Sequence, residues 1–214
     1  MKRDIDYTLY LCTDRMLMST ATVEESVELA LAGGCTVVQL REKACSSREF
    51  YELALRVKQI TARYGVPLII NDRADIALAA DADGVHVGQD DLPTAAVRRL
   101  IGPEKILGVS AQSVAQAIRA QADGADYLGV GAMYATATKA DAKPVSMEGL
   151  RAIREAVDIP IVVIGGINRE NARNFAGTGI NGLAVVSSII AQKDIPAAAR
   201  TLKVLFRGEQ DRGV

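Results

Sequence analysis

Arg41 and Lys43 stand directly after Val37-Val38-Gln39-Leu40, four residues fit for a buried strand, with no Gly, Pro or Asn between them to mark an ordinary turn. Two cations at the point where a strand leaves its core have two readings: solvated edge charges, or a grip on an anion. Their company favours the anion. Lys139 supplies a third cation from a later loop, while Asp72 and Asp91 each follow another strand-like run. Adjacent strands lie about 5 Å apart, so carboxylates at neighbouring strand ends can share an ion. Mg²⁺ suits such a place, because it is usually held by one or two carboxylates together with phosphate oxygens and water. Asp90 or Asp91 also reads as the cap of a helix beginning near Leu92 and Pro93. Ser110 has two readings as well, as a helix cap or as a hydroxyl within reach of a phosphate oxygen.

A second anion site is suggested by IVVIGGIN and GLAVVSSII. Gly165 and Gly166 permit close backbone approach, and Ser187-Ser188-Ile189-Ile190 fits one helical turn with its N–H groups aimed outward. The plainer alternative is a glycine turn that merely packs. Between them in chemistry lies GAMYATATKADAKPVS, residues 131–146, a sixteen-residue stretch poor in apolar residues after Tyr134. Loops of that length in compact domains are usually lids or disordered, and Thr136, Thr138 and Lys139 favour a lid that closes over an anion. His86, the single histidine, lies inside GVHV and reads as structural rather than as an acid or base. The cysteines read as small packed residues.

These groups need elements to position them. Short β-rich runs recur at 7–12, 36–40, 67–70, 84–87, 106–109, 126–130, 161–164 and 182–186. They are nearly continuously apolar, as strands covered on both faces must be. Helical signals separate them. Thr22 with Glu25, Ser46 with Glu49 and Ser113 with Gln116 have capping-box spacing. Leu53, Val57 and Ile60 recur at helical period, and Asn168 can cap a further helix that Gly177 would stop. Eight βα units in 214 residues predict an α/β fold, a single (β/α)8 TIM barrel over 1–206, with a polar tail at 207–214 expected to fray. In such a barrel the residues after every strand meet on one face. Thr13, Asp14, Asn71, Gln89, Gly165, Gly166, Ser187 and Ser188 join the groups above on that rim.

A formal charge of −1 with no Lys/Arg block argues against a nucleic-acid surface or a membrane-binding patch. Three cysteines, with no CxxC or Cys/His ligand spacing, form neither a disulfide framework nor a zinc site and fit a reducing cytoplasm. The apolar run of MKRDIDYTLYLCTDR is too short for a signal-peptide core, and nowhere do 18 apolar residues follow one another. A soluble, unprocessed chain is expected, with small-molecule substrates, as a monomer or small homo-oligomer.

Taken in order, YLCTDR, VQLREK, INDR, DGVHVGQDDLP, GVSA, TATKADA, VVIGGIN and VVSS resemble the thiamin phosphate synthase family across nearly the whole chain. The resemblance implies a (β/α)8 barrel that joins an aminopyrimidine methyl diphosphate to a thiazole phosphate, or its carboxylated form, releasing pyrophosphate with one Mg²⁺. It further implies that Gln39, Leu40, Arg41, Glu42, Lys43, Asn71, Ser110 and Lys139 hold the pyrimidine diphosphate. Arg41, Lys43, Ser110 and Lys139 would carry the catalytic load, and Asp72 and Asp91 would bind the metal. Thr136, Ala137, Thr138, Gly166, Val186 and Ser187 would face the thiazole phosphate. One departure is visible: many members show a Phe-Pro-Thr-type sequence before the lysine, where this chain has Met133, Tyr134, Ala135 and Thr136. Two rivals remain at this stage. One is a thiazole tautomerase or another phosphate-binding barrel enzyme, which leaves the carboxylate and cation set idle; the other is a non-catalytic regulator of the pathway.

Overall fold

The computed structural model of the chain describes residues 4–135 and 144–208. Eight parallel strands close into a barrel in chain order: β1 (Leu9–Cys12), β2 (Val37–Leu40), β3 (Leu68–Asn71), β4 (Gly84–Val87), β5 (Ile106–Ala111), β6 (Tyr127–Gly131), β7 (Ile161–Ile164) and β8 (Gly182–Val185). β8 pairs back to β1 through Leu9 opposite Leu183 and Leu11 opposite Val185. Every run expected from the sequence forms a strand. β5 continues two residues past the expected 106–109, so Ser110 lies within the strand and not after it.

Alternation along the strands sorts the residues into two populations. Leu9, Leu11, Val38, Leu40, Leu68, Ile70, Leu107, Val109, Leu128, Val130, Leu183 and Val185 belong to the outer core with the helices. Tyr10, Cys12, Val37, Ile69, Ile106, Tyr127, Val162 and Ala184 form a separate inner cluster. Both populations are buried, which is why the strand sequences show no polar alternation. Each fully buried Leu, Ile or Val is worth about 1.5–3 kcal/mol, so the outer layer is what holds helices to barrel.

The helices are α1 (Val23–Ala32), α2 (Ser47–Tyr64), α3 (Ala74–Ala79), α4 (Thr94–Ile101), α5 (Val114–Ala122), α6 (Met147–Ala156), α7 (Ser187–Ile190) and α8 (Ile195–Arg207). Ser46 and Glu49 form a reciprocal capping box on α2, whose Phe50, Leu53, Ala54, Val57 and Ile60 are buried along one face, and Gly65 ends it in the left-handed conformation. Thr22 caps α1 and Ser113 caps α5 as their spacing predicts. Ser113 therefore does the capping that one reading gave to Ser110.

Two expectations change. Asp90 and Asp91 do not cap α4, which starts at Thr94 with Pro93 as its N-cap and no side-chain cap bond. The expected helix between Asn168 and Gly177 is only a 3-10 turn at Ala172–Phe175. There Asn168 Oδ1 accepts the Glu170 N–H at 2.8 Å, and the Asn171 side chain bonds Asn168 N–H and Gly166 O, each at 2.9 Å. Side chains that satisfy the backbone in this way compete with a regular helix. The last helix, α8, runs through Arg207 and is closed by a left-handed Gly208; residues 209–214 of the expected tail lie outside the described residues.

Candidate active site

The C-terminal ends of β1 to β5 converge on one rim. β1 and β2 are stitched there by Thr13, whose N–H donates to Gln39 O at 3.0 Å while its Oγ1 accepts the Arg41 N–H at 3.0 Å. The Arg41 guanidinium pairs with Asp14 at 2.8 Å and is half-buried. Arg15 holds Glu42 through two bonds of 3.1 and 3.2 Å. Glu42 is thereby committed to a neighbouring cation, and the Leu40 side chain is fully buried in the outer core. Of the five residues expected from Gln39 to Lys43, the side chains of Gln39, Arg41 and Lys43 are the ones suited to an anion or a polar ring.

β3 ends at Asn71, opposite His86 of β4. The next residue, Asp72, donates its N–H to His86 O at 2.8 Å and adopts φ 62°. Only Asn, Asp and Gly enter this left-handed region readily. The carboxylate of Asp72 meets the ammonium of Lys43 across the β2–β3 gap. On the adjacent β4 end, Asp91 Oδ2 accepts the Gly88 N–H at 2.7 Å, which fixes the carboxylate of Asp91 over the end of its own strand. Gln89 Nε2 donates to Ser110 O at 2.7 Å, tying the β4 loop to β5.

These are two half-buried carboxylates on neighbouring strand ends, each with one oxygen, Oδ2, engaged in the bonds above. Hard oxygen donors in this number fit Mg²⁺ that keeps water and phosphate oxygens as its other ligands. A larger protein cage is not present: among the described residues no group of three His, Cys, Asp or Glu side chains is placed to hold a metal.

Below the rim, a line of hydrogen bonds crosses the barrel interior, which sequence reasoning did not anticipate. Gln39 Nε2 donates to the Tyr10 hydroxyl at 2.8 Å. Tyr10 and Tyr127 hydroxyls are 2.6 Å apart, Tyr127 is 2.9 Å from His86 Nδ1, and His86 Nε2 is 3.0 Å from Ser110 Oγ. Burial pushes both phenols well above their ordinary 10.0, so both keep their protons. The available signal was the tyrosines Tyr10 and Tyr127 inside the largely apolar strand runs YTLYLC and DYLGV.

At the ends of β7 and β8, Gly165 and Gly166 have φ 96° and 68°. A Cβ on either would fall 2.5 Å from Ala132 Cβ or 2.7 Å from Tyr134 Cβ, so these glycines are required by packing against the start of the 131–146 loop. Met133 N–H donates to Ile164 O at 2.9 Å and Tyr134 N–H to Gly165 O at 3.0 Å. This entry to the loop is held by those backbone bonds and by Tyr134 edge-on to Phe175 at 6.1 Å. Val186 is the N-cap of α7, which opens with the exposed Ser187. Thr136, Ala137, Thr138 and Lys139 lie outside the described residues.

Cys12 and Cys35 are fully buried, and burial pushes their thiols up to about 12; neither serves as a nucleophile. No helix among the described residues is long and apolar enough to cross a membrane.

The family model described as thiamine monophosphate synthase matches residues 9–189. A thiamine-phosphate synthase of Clostridium beijerinckii is 64% identical over 206 residues, covering 96% of this chain and 99% of the relative. Another, of Ruminiclostridium cellulolyticum, is 65% identical and covers 96% and 98%. The solved thiamine phosphate pyrophosphorylase from Pyrococcus furiosus superposes with a TM-score of 0.88 at 41% identity, covering 95% of this chain and 96% of its own. With eight strands closed in the same barrel and this identity over nearly its whole length, the chain belongs to the thiamine monophosphate synthase family.

Proposed function

We propose that the rim over β2 to β5 binds the diphosphate of an aminopyrimidine methyl diphosphate and releases it as pyrophosphate while the pyrimidine methylene bonds to the nitrogen of a thiazole phosphate. The chain is a transferase that makes thiamin phosphate. What is proposed is how its own residues do so. The observation that carries the reading is that Arg41, Lys43, Asp72, Asp91 and Ser110, far apart in sequence, stand on four consecutive strand ends of one rim.

A thiazole nitrogen already has its lone pair, so no base is needed to activate it. The obstacle is departure of a highly charged diphosphate. Arg41 and Lys43 supply fixed positive charge to the leaving oxygens, the kind of electrostatic stabilisation that generally dominates such sites. Ser110 donates a hydrogen bond to a phosphate oxygen, and Gln39 and Asn71 orient the pyrimidine. Lys43 rests against Asp72; an anion bound beside a cation takes both partners at once, the anion Lys43 and the cation Asp72. Asp72 and Asp91 would hold Mg²⁺, which when bound supplies Lewis-acid neutralisation of the diphosphate. The route is dissociative, with the electron-rich aminopyrimidine supporting a carbocation. Lys139, Thr136, Ala137 and Thr138 complete the diphosphate and thiazole phosphate sites in this reading, with Gly166, Val186 and Ser187 on the thiazole side. Three unpaired cysteines suit a reducing cytoplasm as the place of action.

The test is purified protein with both substrates and Mg²⁺, followed by chromatography of thiamin phosphate. Product that disappears with chelator and in Asp72→Ala, whose circular dichroism stays native, is the expected result. Undiminished, metal-dependent turnover in Asp72→Ala would remove that residue from the metal site. Ligand binding without product would identify a regulator instead.

A further inference from the structure

The line of hydrogen bonds through the barrel joins two groups of the proposed pyrimidine diphosphate site, Gln39 at one end and Ser110 at the other. Counting protons gives it a direction. The Gln39 amide nitrogen only donates, so Tyr10 Oη accepts there. Tyr10 then has one proton to give, and its partner at 2.6 Å is Tyr127 Oη. Tyr127 in turn passes its own proton to His86 Nδ1 at 2.9 Å. With Nδ1 accepting, the neutral imidazole carries its proton on Nε2, which donates to Ser110 Oγ at 3.0 Å. The reverse direction would leave the Tyr10 proton without an acceptor in a side chain only 1% exposed, the arrangement that burial penalises most. The backbone is built around this line. A Cβ at Gly108 would lie 2.4 Å from His86 Nδ1 and 2.3 Å from Tyr127 Oη, and one at Gly129 would lie 3.0 Å from His86 Cε1.

We propose that Tyr127 and His86 are positioning residues that fix Ser110 as a hydrogen-bond donor toward the mouth of the barrel. Ser110 Oγ receives the Nε2–H, so its own proton is turned away from His86, toward the half-open rim. A serine so held meets a phosphate oxygen without having to reorient. The choice of ligand rests on the function proposed above; the direction of the line does not. Tyr10 performs the matching task for Gln39 by accepting one of its two amide protons.

His86 is the only histidine in the chain, so its two ¹⁵N resonances are assigned without variants. In the protein alone at pH 8 the expected spectrum is that of a single neutral Nε2–H tautomer. Tyr127→Phe removes the donor to Nδ1 and is expected to give a mixture of tautomers, whereas Tyr10→Phe leaves the Tyr127–His86–Ser110 portion intact and keeps the Nε2–H form. In turnover, Tyr127→Phe is expected to raise KM for the pyrimidine diphosphate about tenfold, the scale of one lost hydrogen bond. KM for the thiazole phosphate should stay within about twofold. A wild-type Nδ1–H tautomer or imidazolium overturns the proposal, as does an unchanged tautomer in Tyr127→Phe or an equal rise in both KM values. The spectrum is read without substrates, so it decides the direction of the line even if the enzyme assay fails.

Discussion

Gly108→Ala puts a methyl group into the most crowded point of the interior. Gly108 lies opposite His86 on one side and Tyr127 on the other. Its new Cβ would fall 2.1 Å from Tyr127 Cζ, 2.3 Å from Tyr127 Oη and 2.4 Å from His86 Nδ1. Ordinary carbon contacts lie at about 3.5–4.0 Å, so the tyrosine ring would have to retreat by more than about 1 Å. It has nowhere to go: Tyr127 is completely buried, with Tyr7 and Tyr10 rings at 4.9 and 5.8 Å. Overpacking of this kind costs about 1–3 kcal/mol. Separating Tyr127 from His86 adds about 1–3 kcal/mol for buried groups left unpaired, and loss of glycine's unfolded-state entropy returns about 0.4–1 kcal/mol.

A net cost near 3 kcal/mol corresponds to a fall in Tm of roughly 6–12 °C for a chain of this size. Thermal unfolding followed by circular dichroism reads it directly. The reasoning also specifies a rescue. Leu at position 127 has no atoms where Cζ and Oη stood, so Gly108→Ala added to Tyr127→Leu should cost at least about 1 kcal/mol less than in the native background. A fall below about 2 °C, or the same cost in both backgrounds, would refute the packing argument.

Alkaline stability and thiol reactivity test burial independently. Tyr10 and Tyr127 hold their protons in the folded state well above 10.0, chiefly through burial. Unfolded phenols release theirs from about pH 10, so above that pH the folded state binds more protons and loses stability as pH rises. The slope approaches about 1.4 kcal/mol per pH unit for each phenol. Urea midpoints between about pH 8.5 and 11 should begin to fall near pH 9, where the unfolded thiols of Cys12 and Cys35 ionise, and fall more steeply above about pH 10, less so in Tyr10→Phe; a flat profile above that pH contradicts the burial. Among the three thiols, Cys12 and Cys35 sit near 12 and are buried, while Cys45 is partly exposed. An aromatic disulfide reagent should therefore titrate one thiol in the native protein and three in denaturant, and two fast native thiols would contradict that burial.

The strands and most helix starts were legible because their signals are local. Ser46 with Glu49 marks an N-terminus whatever surrounds it, and a run such as IVVI needs cover on both faces wherever it lies. The 168–177 segment misled because Asn168 is equally good at starting a helix and at closing a turn, and only the Asn171 bond to Gly166 O decides between them. Asp91 reads from sequence as a metal ligand or a cap of α4; its bond to Gly88 N–H shows it capping its own loop and not α4, a contact compatible with metal binding. The Tyr10–Tyr127–His86 line was invisible, since it depends on three strands facing one another across a closed barrel. Lone tyrosines in apolar runs announce a buried hydroxyl but not its partner.

The distribution of that polar line explains why the two sides of the mouth are built differently. Its members come from β1, β2, β4, β5 and β6, beneath the rim where Gln39, Arg41, Asp72, Asp91 and Ser110 stand. On β7 and β8 the inward residues are Val162 and Ala184, and the rim above them offers Gly165, Gly166 and the start of α7. Side chains with hydrogen-bond partners underneath them, as Gln39 and Ser110 have, are held in one proton direction, whereas an apolar filling would be cheaper but would leave them free to turn. Backbone N–H groups are oriented by the chain itself and need only packing below. The interior under β1 to β6 thus mixes this polar line with apolar residues such as Val37, Ile69 and Ile106, whereas under β7 and β8 it is apolar.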